Sequence, residues 1–264
     1  MKNSSVSLSV IMSVYNDETY LKKAIESIVN QSYPDFEFII IDDKSTDMSL
    51  SIIEDYSKID KRIKVLKNKK NIGLPASLNR GIKFSSADFI ARMDGDDISQ
   101  LKRFEKQMRF LKKNPQVDIV GTGVLYIDQK GGEIGRKLMH STHIDLKKEI
   151  CKNSPFAHPT VIIRRDFFNR IGLYNENLKR RQDYHLWVRG VSNSCYANID
   201  EHLLKYRVEN SKNTENIVDI INIFYVRFLN FTVLKSLKSF FYMFALPVSL
   251  IIKLIKSHHV QTKN

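Results

Sequence analysis

Two groups of carboxylates stand out by type and spacing. Asp42-Asp43 follows the apolar run Phe36 to Ile41, and Asp94-Gly95-Asp96-Asp97 follows Phe89 to Met93. Three acids within four residues repel one another, so the set is costly unless a cation or a hydrogen-bonding ligand lies among them. Asp after a strand also starts turns and caps helices, and Asp42-Asp43 by itself fits either role. The calcium loop of an EF-hand does not fit Asp94 to Asp97. Counting Asp94 as position one puts Ile98 and Ser99 at positions five and six, where an oxygen ligand and a Gly are required. A Mg²⁺ or Mn²⁺ site remains, because such ions take one or two protein carboxylates and complete their shell with substrate phosphates. One Asp would bind the ion, and another would accept hydrogen bonds from a ribose. The ion would neutralise charge developing on a diphosphate leaving group. A further acid, Asp183, precedes Leu186 and Trp187. Spacing alone leaves it as a helix cap or a general base.

Alternating elements must position these acids. Val6 to Val14 is a nearly continuous apolar run, as in a buried parallel strand. Leu21, Ala24, Ile25, Ile28 and Val29 then fall at helical spacing. Phe36 to Ile41 is the second strand, Ser45-Thr46-Asp47 a helix start leading to Ile52, Ile53 and Tyr56, and Ile63 to Leu66 the third strand. A helix through Ala76, Leu78 and Ile82 and a fourth strand over Phe89 to Met93 complete a run of βαβ units, which predicts a mostly parallel α/β sheet. In such a sheet ligands bind at the carboxyl ends of the strands, where both acid sets fall. Beyond Met93 the pattern predicts a helix through Leu101, Phe104, Met108 and Leu111. A strand, turn and strand follow over Ile119 to Leu138, then a strand over Thr160 to Arg164 and a short helix over Asp183 to Val191. Soft boundaries near Leu101 and Lys212 divide the chain into residues 1–100, 101–212 and 213–264.

In this order the motifs resemble those of the inverting family 2 glycosyltransferases with the GT-A fold, a Rossmann-like sheet flanked by helices. Val10 to Asn16 with Ser27 to Ser32 is similar to the family's first strand and helix, and Phe36 to Asp47 to its second strand and acidic turn. Asn71 to Leu74 and Leu78 to Gly81 match the next segment. Ala91 to Ser99 with Arg103 to Gln107 is similar to the aspartate–any–aspartate signature and its helix. Gln182 to Trp187 resembles the acceptor motif. The resemblance runs from about Ser7 to Arg207. It implies that Asp43 hydrogen-bonds the nucleotide base, that Ser13, Val14 and Tyr15 line the base pocket, and that Asn71 belongs to the same donor site. Asp96 would ligate a Mg²⁺ or Mn²⁺ ion, with Asp94 and Asp97 nearby for ribose or metal, and Asp183 would be the general base. The donor would be a nucleotide-diphosphate sugar, most often UDP-linked in this family, transferred with inversion to a hydroxyl of a glycan or polyprenyl-linked acceptor.

The chain departs from the family pattern at several places. Lys44 stands where Gly is usual, Gln182 where Glu is usual, and Leu101 where Pro is common. Tyr206-Arg207-Val208 lacks the His that often follows and commonly assists the metal or diphosphate. Arg207 could contact phosphate or be structural. His158, before Pro159, lies at another family landmark, as a turn residue or a ligand.

The 264 residues carry 42 Lys and Arg against 29 Asp and Glu, a formal net charge of +13. From Ile220 onward there are six basic residues and no acid, so the tail alone carries +6. Two cysteines are too few for a disulfide framework, and no signal peptide or long apolar run is visible, which leads us to expect a cytoplasmic protein. Phe240 to Ile252 is apolar and flanked by Lys235, Lys238, Lys253 and Lys256. Such a segment would lie at an anionic membrane surface, at the inner face of the cell membrane, or pack against the core or a partner chain. A nucleotidyltransferase is a second enzymatic reading, but Ser13 to Asp17 offers no Gly- or Arg-rich triphosphate loop. A nucleic-acid-binding protein would interleave basic and aromatic residues on a recognisable module; here the basic excess is greatest in an apolar tail, so no nucleic-acid partner is expected.

Overall fold

The computed structural model describes residues 6–208 together with Val226, Phe228, Leu229, Thr232 and Val233. The first half runs β1 (Leu8–Val14), α1 (Glu18–Val29), β2 (Phe36–Asp42), α2 (Ser49–Ile59), β3 (Ile63–Lys67), α3 (Leu74–Phe84) and β4 (Phe89–Met93). The second runs β5 (Ile98–Ser99), α4 (Arg103–Lys113), β6 (Ile119–Ile127), β7 (Glu133–Lys137), α5 (His143–Glu149), a 3₁₀ turn (His158–Thr160), β8 (Ile162–Arg164), α6 (Arg165–Ile171), α7 (Gln182–Gly190) and β9 (Tyr196–Arg207).

Among the described residues, nine strands form one mixed sheet in the order β3-β2-β1-β4-β8-β6-β9-β5, with β7 on β6. The β3-β2-β1-β4 half is parallel, as the alternation of strand and helix requires. β8 then enters antiparallel between β4 and β6. β9 runs parallel to β6 with two register shifts around Gly123, and antiparallel to the short β5. The predicted α/β class and the elements around the acids are found as expected. α5, α6, β5 and the twelve-residue β9 were not anticipated.

Strand alternation divides the interior into two cores. Leu8, Val10, Met12 and Val14 of β1 and Phe36, Phe38 and Ile40 of β2 face α1 and α4, meeting Leu21, Ile25, Ile28, Phe104 and Met108. Ile11, Ile39 and Ile41 face the other way, toward Leu78 and Ile82 of α3 and on to Phe167 and Trp187. Each such side chain contributes about 1.5–3 kcal/mol by leaving water. α3 lies close on the sheet because of Gly81: a Cβ there would come within 2.7 Å of Ile11 Cγ2 and 2.8 Å of Ile41 Cδ1. Asn79 of α3 ties the two halves together. Its Nδ2 donates to Tyr174 O at 2.9 Å, and its Oδ1 accepts from Tyr174 N at 3.0 Å.

Val226 is buried in the second core, with Leu229 and Val233 packed against it, an i, i+3, i+7 stripe. This part of the basic tail therefore packs on the protein. The segment Phe240 to Ile252 lies outside the described residues.

Candidate active site

The C-terminal ends of β1, β2 and β4 open into one cleft of about 1020 Å³, closed on its far side by the N-terminus of α7. Parallel strands end in a row there, which is why acids far apart in sequence gather at one edge. Asp43 and Asp96 line this same cleft, as do Ser13, Tyr15 and Asn71, and Asp94 and Asp183 complete the set.

Asp43 is held rigidly. Its Oδ1 accepts from Asn68 Nδ2 at 2.7 Å and from Ile72 N at 2.9 Å, and its Oδ2 accepts from Gly73 N at 2.8 Å. Gly73 has φ of +85°, the left-handed region that glycine enters without strain, and this turns its N–H toward the carboxylate. Val14 does not line the cleft. Its side chain is buried in the first core, because alternation along β1 points it inward, and only its carbonyl reaches the site, accepting from Asp43 N at 2.8 Å.

Carboxylate oxygens of Asp94, Asp96 and Asp97 all lie within 4.8 Å of one another. Asp97 is 1% exposed; its Oδ1 accepts from Arg207 N at 2.8 Å, and its Oδ2 has no hydrogen-bond partner among the described residues. A buried carboxylate oxygen left open beside two further carboxylates fits a hard divalent cation with oxygen ligands. Burial, and then the charge of Asp94, pushes the Asp96 carboxyl up to about 6. Burial and the charges of Asp94 and Asp96 push Asp97 well above the ordinary range.

Asp17 is a fourth acid at this cluster, and sequence reasoning passed it over. It lines the cleft, and burial, then Asp96 and Asp94, push it up to about 7. A Cβ at position 95 would lie 2.6 Å from Asp17 Oδ2, so Gly95 is what lets the acid loop approach β1 this closely. The available signal was its place three residues past the end of the first strand, on the same sheet edge as Asp43 and Asp94.

Arg207 corrects an expectation. It does not line the cleft as a phosphate ligand. Its guanidinium donates to the carbonyls of Asp96 at 2.9 Å, Asp128 at 2.7 Å and Gln129 at 3.2 Å, and stacks 4.0 Å from the Tyr20 ring centre. It pins the acid loop from beneath. Arg103, also buried, donates to Arg92 O at 2.8 Å and Gln107 Oε1 at 3.1 Å from the opposite face of β4.

Asp183 lies in the first turn of α7, which Arg181 precedes as N-cap with φ of +63°. Burial raises its carboxyl, while the Tyr184 N–H, Arg92 and Arg181 work against that rise. Gln182 beside it is buried, with Oε1 lacking a hydrogen-bond partner among the described residues. His158 is part of the cleft wall rather than only a turn residue. Its Nε2 is 2.9 Å from Tyr174 Oη, and burial, then Arg92, hold it well below its ordinary pKa, so it is neutral at pH 7. The cleft thus has an acidic end that can accept a cation and an opposite carboxylate that can take a proton.

The comparisons agree with this architecture. The family model described as Glycosyl transferase family 2 matches residues 9–172. The putative glycosyltransferase EpsE of Bacillus subtilis is 38% identical over 212 residues, 79% of this chain and 75% of that protein. The O-antigen biosynthesis glycosyltransferase WbnJ of Escherichia coli is 34% identical over 77% of this chain and 80% of its own length. Among solved structures, residues 1–349 of S. aureus TarS in complex with UDP-GlcNAc superpose with a TM-score of 0.67 at 23% identity, covering 84% of this chain and 65% of that one. The match spans the strands that carry Asp43 and the acid loop, and the fold is shared across the TarS superposition: the chain belongs to glycosyl transferase family 2.

Proposed function

We propose that the protein transfers a sugar, with inversion, from a nucleotide-diphosphate donor to a hydroxyl of a glycan or lipid-linked acceptor in surface polysaccharide synthesis. One observation carries this reading: Asp43, Asp94, Asp96 and Asp183 share a single cleft, with the Asp97 carboxylate buried beside those of Asp94 and Asp96. Asp43, with Ser13, Tyr15 and Asn71, forms the end suited to a nucleoside. TarS binds UDP-GlcNAc with the same fold, which supports a UDP-linked donor here. Asp96, with Asp94 and Asp97, would hold a Mg²⁺ or Mn²⁺ ion. Such an ion supplies charge neutralisation for a departing diphosphate.

Asp183, across the cleft, accepts the proton of the acceptor hydroxyl as its oxygen bonds to the anomeric carbon. The bond from that carbon to the diphosphate oxygen breaks on the opposite face, which inverts the centre. The reaction needs Asp183 ionised, so its raised pKa brings the base closer to working pH. Its neighbours Tyr184 N–H and Arg92 keep it from rising further.

WbnJ is named for O-antigen biosynthesis, which supports a surface polysaccharide as product. No helix among the described residues is long and apolar enough to cross a membrane. The basic, apolar tail supports a peripheral position at an anionic membrane surface, where a lipid-linked acceptor would be met; this part of the reading rests on sequence.

The test is a transfer assay with a panel of sugar nucleotides and Mn²⁺. Asp183→Asn should bind the donor as the native protein does and lose turnover by at least about a thousandfold. Asp96→Ala should abolish the Mn²⁺-dependent part of both binding and transfer. Normal turnover in Asp183→Asn would remove the base assignment.

A further inference from the structure

Arg92 is 5% exposed, yet it lines the cleft. Alternation along β4 sends Ala91 and Met93 into the first core and Arg92 to the opposite face, with Asp94 two residues on. There the guanidinium forms an ion pair with Asp94. Its Nε has no hydrogen-bond partner among the described residues.

Three other arginines of this fold are held by backbone carbonyls. Arg164 donates to the carbonyls of Val117, Leu111 and Asn114. Arg165 donates to Ala87 O and Ser85 Oγ, and Arg207 to three carbonyls. Buried donors are normally satisfied, so one left open on a residue that lines the cleft points to a ligand group that completes it.

Its place identifies the ligand. Arg92 and Asp94 stand toward the acid cluster, and the charge of Arg92 also reaches Tyr174, His158 and Asp183. In a displacement reaction the reacting carbon lies between leaving group and base, so the ring that carries it occupies this part of the cleft. A guanidinium already paired with a carboxylate has its charge compensated, which makes it a poor phosphate ligand but leaves it a directional donor. A carboxylate beside it is an acceptor. Neighbouring sugar hydroxyls offer one group to each.

We propose that Arg92, paired with Asp94, binds hydroxyl groups of the donor's sugar ring and so selects which sugar nucleotide is used. This rests on the donor reading above. Arg92 is then a specificity-determining residue, and the ion pair is half of a clamp rather than only a counter-charge for the acid loop.

The test is calorimetric binding in Mn²⁺ of UDP, UDP-glucose, UDP-GlcNAc and GDP-mannose to the native protein and to Arg92→Lys. Lys keeps the charge beside Asp94 but lacks Nε and the planar fork. UDP should bind Arg92→Lys within about twofold of native, while the sugar nucleotide that the native protein binds most tightly should bind at least about tenfold more weakly. Equal affinity for that sugar nucleotide in both proteins would make Arg92 a counter-charge only and overturn the proposal. A parallel loss of UDP and sugar nucleotide would also overturn it, by placing the effect on the cation site or the fold. Should Arg92→Lys not fold, as judged by its thermal transition, Arg92→Gln carries the same comparison. If the native protein binds no nucleoside diphosphate at all, the donor reading falls, and the proposal with it.

Discussion

Replacing Asp17 by Asn should stabilise the cation-free protein, and the gain should depend on pH. The Asp17 carboxyl is raised from 3.8 to about 7 by burial, then by the charges of Asp96 and Asp94. An acid with a higher pKa folded than unfolded weakens the fold as pH rises. The loss is absent well below 3.8, grows between the two values, and is complete above about 7. The full displacement corresponds to a ceiling of roughly 4 kcal/mol at pH 8 and under about 2 kcal/mol at pH 5. Asp96, raised to about 6, titrates in the same range and shares the repulsion, so about half the ceiling is expected. For a domain of this size, about 2 kcal/mol raises Tm by roughly 4–8 °C. The assay is thermal unfolding of native and Asp17→Asn protein in EDTA at pH 5 and pH 8. Addition of Mn²⁺ should reverse the order of benefit, stabilising the native protein more than the variant, because a cation turns a repelled carboxylate into an attracted one. An equal Tm gain at both pH values, or a variant less stable than native at pH 8 in EDTA, would refute the reasoning.

Arg207→Met removes three donated hydrogen bonds to loop carbonyls, and should cost about 3 kcal/mol in chemical denaturation while weakening cation binding through the loosened acid loop. Gln182→Glu adds a carboxylate beside Asp183. Like charge raises the base further, so the acidic limb of the kcat profile should move up by about one pH unit, and an unmoved limb would separate that limb from Asp183. Gly81→Ala forces a methyl to within 2.7 Å of Ile11, and should lower Tm by several degrees without changing the KM ratio between donors.

The strands that carry Asp43 and Asp94 were legible because parallel strands covered on both faces write themselves as unbroken apolar runs. β9 was not, since Asp200-Glu201-His202 interrupts its apolar character where the register with β6 shifts. Its pairing with β6 outweighs that local polarity. Asp17 was hidden as a residue that merely ended an apolar run; only the folded approach of Gly95 shows what it faces. Arg92 looked like an ordinary polar position in a strand. Its burial follows from α3, α6 and the loop around Tyr174 covering that face, which no local pattern encodes. For Arg207 the sequence left phosphate contact and a structural role open, because its reach toward three carbonyls depends on β9 lying under the acid loop.

The insertion of β8 between β4 and β6 also bears on how the chain can be divided. A cut between residues 100 and 101 would leave one fragment ending its main sheet at β4, with β5 parted from β9, and the other holding β8 with nothing on that flank. Each piece would expose a bare row of backbone donors and acceptors that matches the other and no other part of itself. The two fragments are therefore suited to complementation: separately aggregation-prone, but able to rebuild the sheet, and the cleft with it, when produced together.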